Sequence, residues 1–104
     1  MVDDYHHHLE HQIQDMKTRL HYSYSDPNNP MARVIHHELQ KAEDAARGRH
    51  DLRHIEERLR IAQTQIDRAR FLPHGSEIMQ NEHADHFHQS ISDMRSDMRR
   101  RSNF

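Results

Sequence analysis

The sequence predicts an all-α protein, and three observations carry that expectation. Apolar residues recur at steps of three and four through most of the chain, the period of an amphipathic helix. The two glycines and three prolines fall outside or between those periodic runs. Only 33% of residues are apolar and 31% are charged, against a usual ~45% and ~25%. The apolar residues are therefore scarce but strictly placed, which separates this chain from a disordered one. The predicted architecture is a long central helix over about 30–72, with Gly48 as its one weak point. Two shorter antiparallel helices, over about 3–23 and 77–100, flank it. The alternative is an up-down four-helix bundle, which the same segments form if the chain turns at Gly48. At 104 residues a single helical domain over 1–104 is expected, with a frayed basic tail at about 99–104.

The first helix places Val2, Leu9, Ile13, Met16 and Leu20 on one face, with His6 on the same stripe, and has Asp3 and Asp4 in its first turn, where negative charge suits the helix dipole. Residues 21–30 read HYSYSDPNNP, which is turn chemistry. Tyr22 and Tyr24 beside that loop are expected to be half-buried. Pro30 then stands at a first helical position with Asn29 as N-cap. Met31, Ile35, Leu39, Ala42 and Ala46 form one stripe, and Leu52, Ile55, Leu59, Ala62, Ile66 and Ala69 form a second. The two are out of frame by about one residue.

Either Gly48 takes a left-handed C′ conformation, with His50 or Asp51 capping a new helix, or a continuous helix absorbs the slip. Ala45, Ala46, Arg47 and Arg49 favour helix and a single glycine costs only about 1 kcal/mol. A continuous rod of about 60 Å is the preferred expectation. Pro73, Gly75 and Ser76 then end one helix and cap the next, with Glu77 in its first turn. Ala84, Phe87, Ile91, Met94 and Met98 make the last stripe.

Stripes this thin on long helices suggest that part of the burial comes from a second copy, so a homodimer or higher homo-oligomer of coiled-coil type is expected. The formal charge of −2 supplies no field toward nucleic acid or membrane. Residues 1–46 carry eight acids against four bases, and residues 47–104 nine acids against eleven bases. The absence of cysteine removes disulfides, thiolate catalysis and Cys-type zinc sites. No apolar run is long enough for a membrane span or a secretion signal, which leaves a cytoplasmic location as the expectation.

Histidine is the compositional oddity, with 13 residues. Residues three or four apart share a helix face, so His7/His11, His50/His54 and His83/His86 can each offer two imidazoles to zinc, nickel or copper. His50, His54, His83 and His86 are the candidate metal ligands, with Zn or Ni as the ion. The segment His50-Asp51-Leu52-Arg53-His54 has the outer spacing of an H-E-x-x-H zinc-protease helix. Asp replaces the general-base Glu, however, and no third ligand follows at such a spacing. Glu56 and Glu57 are expected to pair along the helix, Glu56 with Arg60 and Glu57 with Arg53. No glycine-rich phosphate loop or nucleophile turn is present, so no enzyme is expected. Protonating all the histidines moves the formal charge from −2 toward +11 (−2 plus 13), so any oligomer is expected to weaken from pH 7.5 to 5.5.

The preferred function is a non-catalytic protein-interaction module, an adaptor, regulator or inhibitor that self-associates and binds another protein. Its candidate partner-binding residues are Arg49, Arg53, Arg60, Arg99, Arg100 and Arg101. The rival readings are a His-rich metal-binding protein, a nucleic-acid-associated protein using its Arg-rich faces, and an accessory inhibitor of a phage or mobile element.

Overall fold

In a computed structural model of the chain, residues 4–24, 26, 28–72, 79 and 81–102 are described. Four helices pack against one another: α1 Tyr5–Ser23, α2 Pro30–Arg47, α3 Leu52–Phe71 and α4 Asn81–Ser102. The expected long central helix is instead two helices, and the bundle is what the segments form. Cross-helix contacts fix its direction. Glu10 meets Arg47 while Lys17 meets Glu43, and Glu56 meets Arg95 while Asp67 meets His88, so each hairpin is antiparallel. The body measures 46 × 21 × 18 Å, short of the about 60 Å that a forty-residue helix would span. Packing is extensive between α1 and α2, α2 and α3, and α3 and α4, and sparse between α1 and α4.

The chain turns after Arg47 by a Schellman motif. His50 N–H donates to Ala45 O at 3.0 Å and Arg49 N–H to Ala46 O at 3.1 Å, which satisfies carbonyls left open by the helix end. The left-handed residue is Arg49, at φ 55. Gly48, expected in that role, has φ −77 and ψ 2, a conformation open to any residue. Asp51 caps α3 by accepting from Arg53 N at 3.1 Å. This turn resets the helical phase, so the two stripes that were out of frame both face inward.

The other visible caps follow from local chemistry. Asn29 Oδ1 accepts from Met31 N at 2.9 Å with Pro30 at the first position. Asp4 is the N-cap of α1 rather than a first-turn acid, accepting from His7 N at 3.1 Å. The expected cap at Ser76, with Pro73, Gly75 and Glu77, lies outside the described residues, as do Val2 and Asp3. An isolated antiparallel bridge joins Tyr24 to Met79 and brings the two loop ends at that pole together.

One apolar cluster runs through all four helices. Leu9, Ile13 and Leu20 of α1, Ile35 and Leu39 of α2, Ile55, Leu59 and Ile66 of α3, and Ile91 and Met98 of α4 are fully buried. Ala42, Ala46 and Ala62 are buried with them, and such small side chains let backbones approach closely. Tyr5, not His6, continues the α1 stripe. Tyr24 is buried, but Tyr22 is 82% exposed and takes no part in the core. No helix among the described residues is long and apolar enough to cross a membrane.

Candidate functional site

The turn between α2 and α3 collects several of the predicted residues at one pole. His50 and His54 lie with ring centroids 5.1 Å apart, as their spacing requires, and both are exposed. His6 Nε2 is 2.8 Å from the His50 carbonyl oxygen, and His7 and His11 face each other with Nε2 atoms 3.0 Å apart. Each is a pair, and no group of three or more His, Asp or Glu side chains among the described residues is arranged to hold a metal ion. At the other pole His83 and His86 are exposed, and His86 rests its ring against Phe87 at 5.5 Å. His88 instead turns across to α3, with Nδ1 2.9 Å from Asp67 Oδ1. A pair of imidazoles supplies two of the four ligands that structural zinc takes.

The predicted arginines are spread among carboxylates. Arg49 pairs with Asp4, and Arg60 Nε donates to Glu57 Oε2 at 3.0 Å. The expected Glu56–Arg60 pair is not formed. Arg53 is exposed on the first turn of α3. Arg99, Arg100 and Arg101, expected in a frayed tail, stand in the last turn of α4. Arg99 reaches Glu56 at 3.2 Å, and Arg100 and Arg101 reach Asp97 at 3.4 and 3.2 Å. Arg101 also lies over the Tyr5 ring at 4.0 Å, a cation–π geometry.

Tyr5 is the residue that sequence spacing missed at this pole. Its hydroxyl donates to Asp97 Oδ2 at 2.7 Å, tying the start of α1 to the end of α4. That hydrogen bond, helped by Arg101, holds the Asp97 carboxyl below its ordinary 3.8. Burial and the same carboxylate push the Tyr5 hydroxyl up.

Among the described residues the buried polar side chains are Glu43, Glu56 and Gln63, one or two on each inner helix. Arg47 Nη2 lies 2.5 Å from Glu43 Oε2, and Lys17 Nζ lies 2.7 Å from Oε1 as an ion contact rather than a directed hydrogen bond. Arg95 donates to Glu56 at 2.7 Å and to Gln63 Oε1 at 2.5 Å. Gln63 Nε2 in turn donates to Ser92 Oγ at 2.6 Å and to the His88 carbonyl at 3.0 Å. Removing one partner of such a pair would leave a buried charge uncompensated.

Two grooves remain. The sparse seam between α1 and α4 holds one of about 350 Å³, with Met16, Phe87 and Met94 beneath a rim that includes Asp15, Arg19 and Asp93. The second, about 330 Å³, lies between α1 and α2 and is lined by His21, Tyr24, Arg33, His36 and His37 among others. The Tyr24 hydroxyl there is buried with no hydrogen-bond partner among the described residues, a state that ordinarily costs about 1–3 kcal/mol. Comparison of the chain with protein-family models, with curated proteins and with solved structures returned no match, so the functional reading rests on this geometry.

Proposed function

We propose that the chain is a non-catalytic helical interaction module that self-associates and regulates or inhibits a protein partner, using the seam between α1 and α4. The observation that supports this reading is the groove itself. It runs between two helices that otherwise pack closely only with α2 and α3, and its apolar floor of Met16, Phe87 and Met94 is bordered by charges of both signs. An apolar centre within a polar rim is the usual make-up of a protein interface, and a helix laid between two helices is a recurrent recognition mode. Sedimentation equilibrium tests it. Wild-type protein is expected at a multiple of its 12.6 kDa monomer mass. Ser90→Arg, which puts a bulky charge into the groove from a half-buried position, is expected to return the monomer with helicity unchanged. A monomer at every concentration for the wild type would refute the self-association.

A further inference from the structure

The groove between α1 and α2 differs from the rest of the surface in its charge. The chain has 17 acidic residues against 15 lysines and arginines. Yet among the described residues no carboxylate lines this groove, or the depression beside it that shares His21 and His36. The Arg33 side chain has no ion pair or hydrogen bond among the described residues. An unpaired guanidinium among imidazoles is a lining suited to a polar ligand.

The surroundings decide the sign of that ligand. Partial burial, then Lys17 and His21 on α1, hold the His36 imidazole below its ordinary 6.5, against a smaller opposing effect from Glu43 on its own helix. Lys17 is itself occupied by Glu43 and Gln40, and Arg33 and His37 stand one turn or less away from His36 on α2. The fixed charge of Arg33 repels a metal cation here, whereas an arriving anion favours the protonated form of the His36 imidazole beside it. We propose that this groove binds a phosphate-type oxyanion, held by the Arg33 guanidinium and the His21 and His36 imidazoles. Arginine and protonated histidine donate charge-assisted hydrogen bonds to such oxygens. The groove is larger than the ion alone needs, so a free phosphate and the terminal phosphate of a small ester both fit. It lies on the opposite edge of α1 from the α4 seam, so occupancy here does not depend on what the seam takes.

The test is titration of the full chain at fixed ionic strength, followed by amide NMR shifts, with sulfate, inorganic phosphate and glycerol 3-phosphate as probes. Saturable shifts confined to residues around His21, Tyr24, Arg33 and His36 are expected. Arg33→Gln and His36→Gln, both at exposed positions, should each weaken binding about tenfold, the loss of one charge-assisted hydrogen bond. His83→Gln on α4 should leave it unchanged. Sulfate, whose charge is constant between pH 5.5 and 8.0, should bind about fivefold more tightly at the lower pH. Tighter binding of the ester than of phosphate assigns the site to a phosphomonoester, and equal binding assigns it to the free ion. Shifts scattered over the surface, or binding indifferent to both Arg33→Gln and His36→Gln, would overturn the proposal. So would binding of an oligonucleotide with no binding of any small anion.

Discussion

Moving the glycine of the α2–α3 turn by one position should stabilise the protein. The turn needs a left-handed residue, and Arg49 supplies it at φ 55 while Gly48 sits at φ −77 beside it. A residue with a Cβ pays roughly 1–2 kcal/mol in that region. Arg49→Gly removes that strain and gives back about 0.4–1 kcal/mol through the freer unfolded chain, a net gain of roughly 0.5–1 kcal/mol. It also deletes the exposed ion pair with Asp4, which contributes little in water. Gly48→Ala recovers the unfolded-state term, but its Cβ would meet His50 Cδ2 at 3.1 Å and Asp44 O at 3.3 Å. The His50 ring is exposed and can swing aside, whereas the carbonyl can yield only a little, so this change alone should be near neutral. The double variant should gain about 1 kcal/mol, or about 4 °C in Tm for a chain of this size, by urea and thermal unfolding with circular dichroism. Arg49→Ala is the control, because it loses the same ion pair and keeps the strain. If Arg49→Gly is less stable than Arg49→Ala, the left-handed strain is not the quantity that matters.

Further outcomes follow from the paired groups. Tyr5→Phe should cost about 1 kcal/mol by urea unfolding. Because the folded Asp97 carboxyl is held below 3.8, its contribution is present above that pH and lost as pH falls through the lower folded value; Tyr5→Phe should flatten acid unfolding in that window. Glu56→Ala should cost about 3 kcal/mol, since it leaves Arg95 with its buried partner removed, and a double-mutant cycle with Arg95→Ala should show strong coupling. His36 is held below 6.5, so it favours the folded state above that pH, and the benefit is lost as pH falls below it. His36→Gln should reduce the slope of stability between pH 6.5 and 5, and an unchanged slope would refute the assignment. Self-association should weaken from pH 7.5 to 5.5 as the histidines charge, read by light scattering as a falling mass.

The helix stripes were legible because burial follows the helical period wherever that period is uninterrupted. Ala84, Phe87, Ile91, Met94 and Met98 are all buried, as their spacing requires. What misled was the join between α2 and α3. A frame slip of one residue fits a turn and a strained continuous helix equally, and glycine is the residue that normally marks a C′ position. Here that position is an arginine, a helix former with no preference for the left-handed region, so the local signal of the turn was the Asp51 N-cap alone. Tyr22 and Tyr24 lie about 200° apart around a helix, so only one can face the core, and composition could not say which. Glu56 was given to Arg60 because local spacing reveals only neighbours on the same helix. Its partners Arg95 and Arg99 arrive from 39 and 43 residues away. A usable signal did exist, in that Glu56 and Gln63 stand one heptad apart beside the apolar stripe and share Arg95.

The same geometry explains why the α1–α4 seam is the open one. Each other pair of neighbouring helices is adjacent in the chain, while α1 and α4 meet only by closure of the bundle. That closure is made at its two ends. Tyr5 and Asp97, with Arg101 over the ring, fasten one pole, and the Tyr24–Met79 bridge fastens the other. Between these clasps the helices are held in line without being drawn together, and Met16, Phe87 and Met94 are left as the floor of the groove. Tyr5→Phe should therefore act on the seam as well as on stability, loosening one clasp while the core of α2 and α3 stays packed. If the groove is the self-association surface, Tyr5→Phe changes the dimerisation constant at temperatures where its helicity is still that of the wild type. If self-association is unmoved while stability falls, the partner surface lies elsewhere on the bundle.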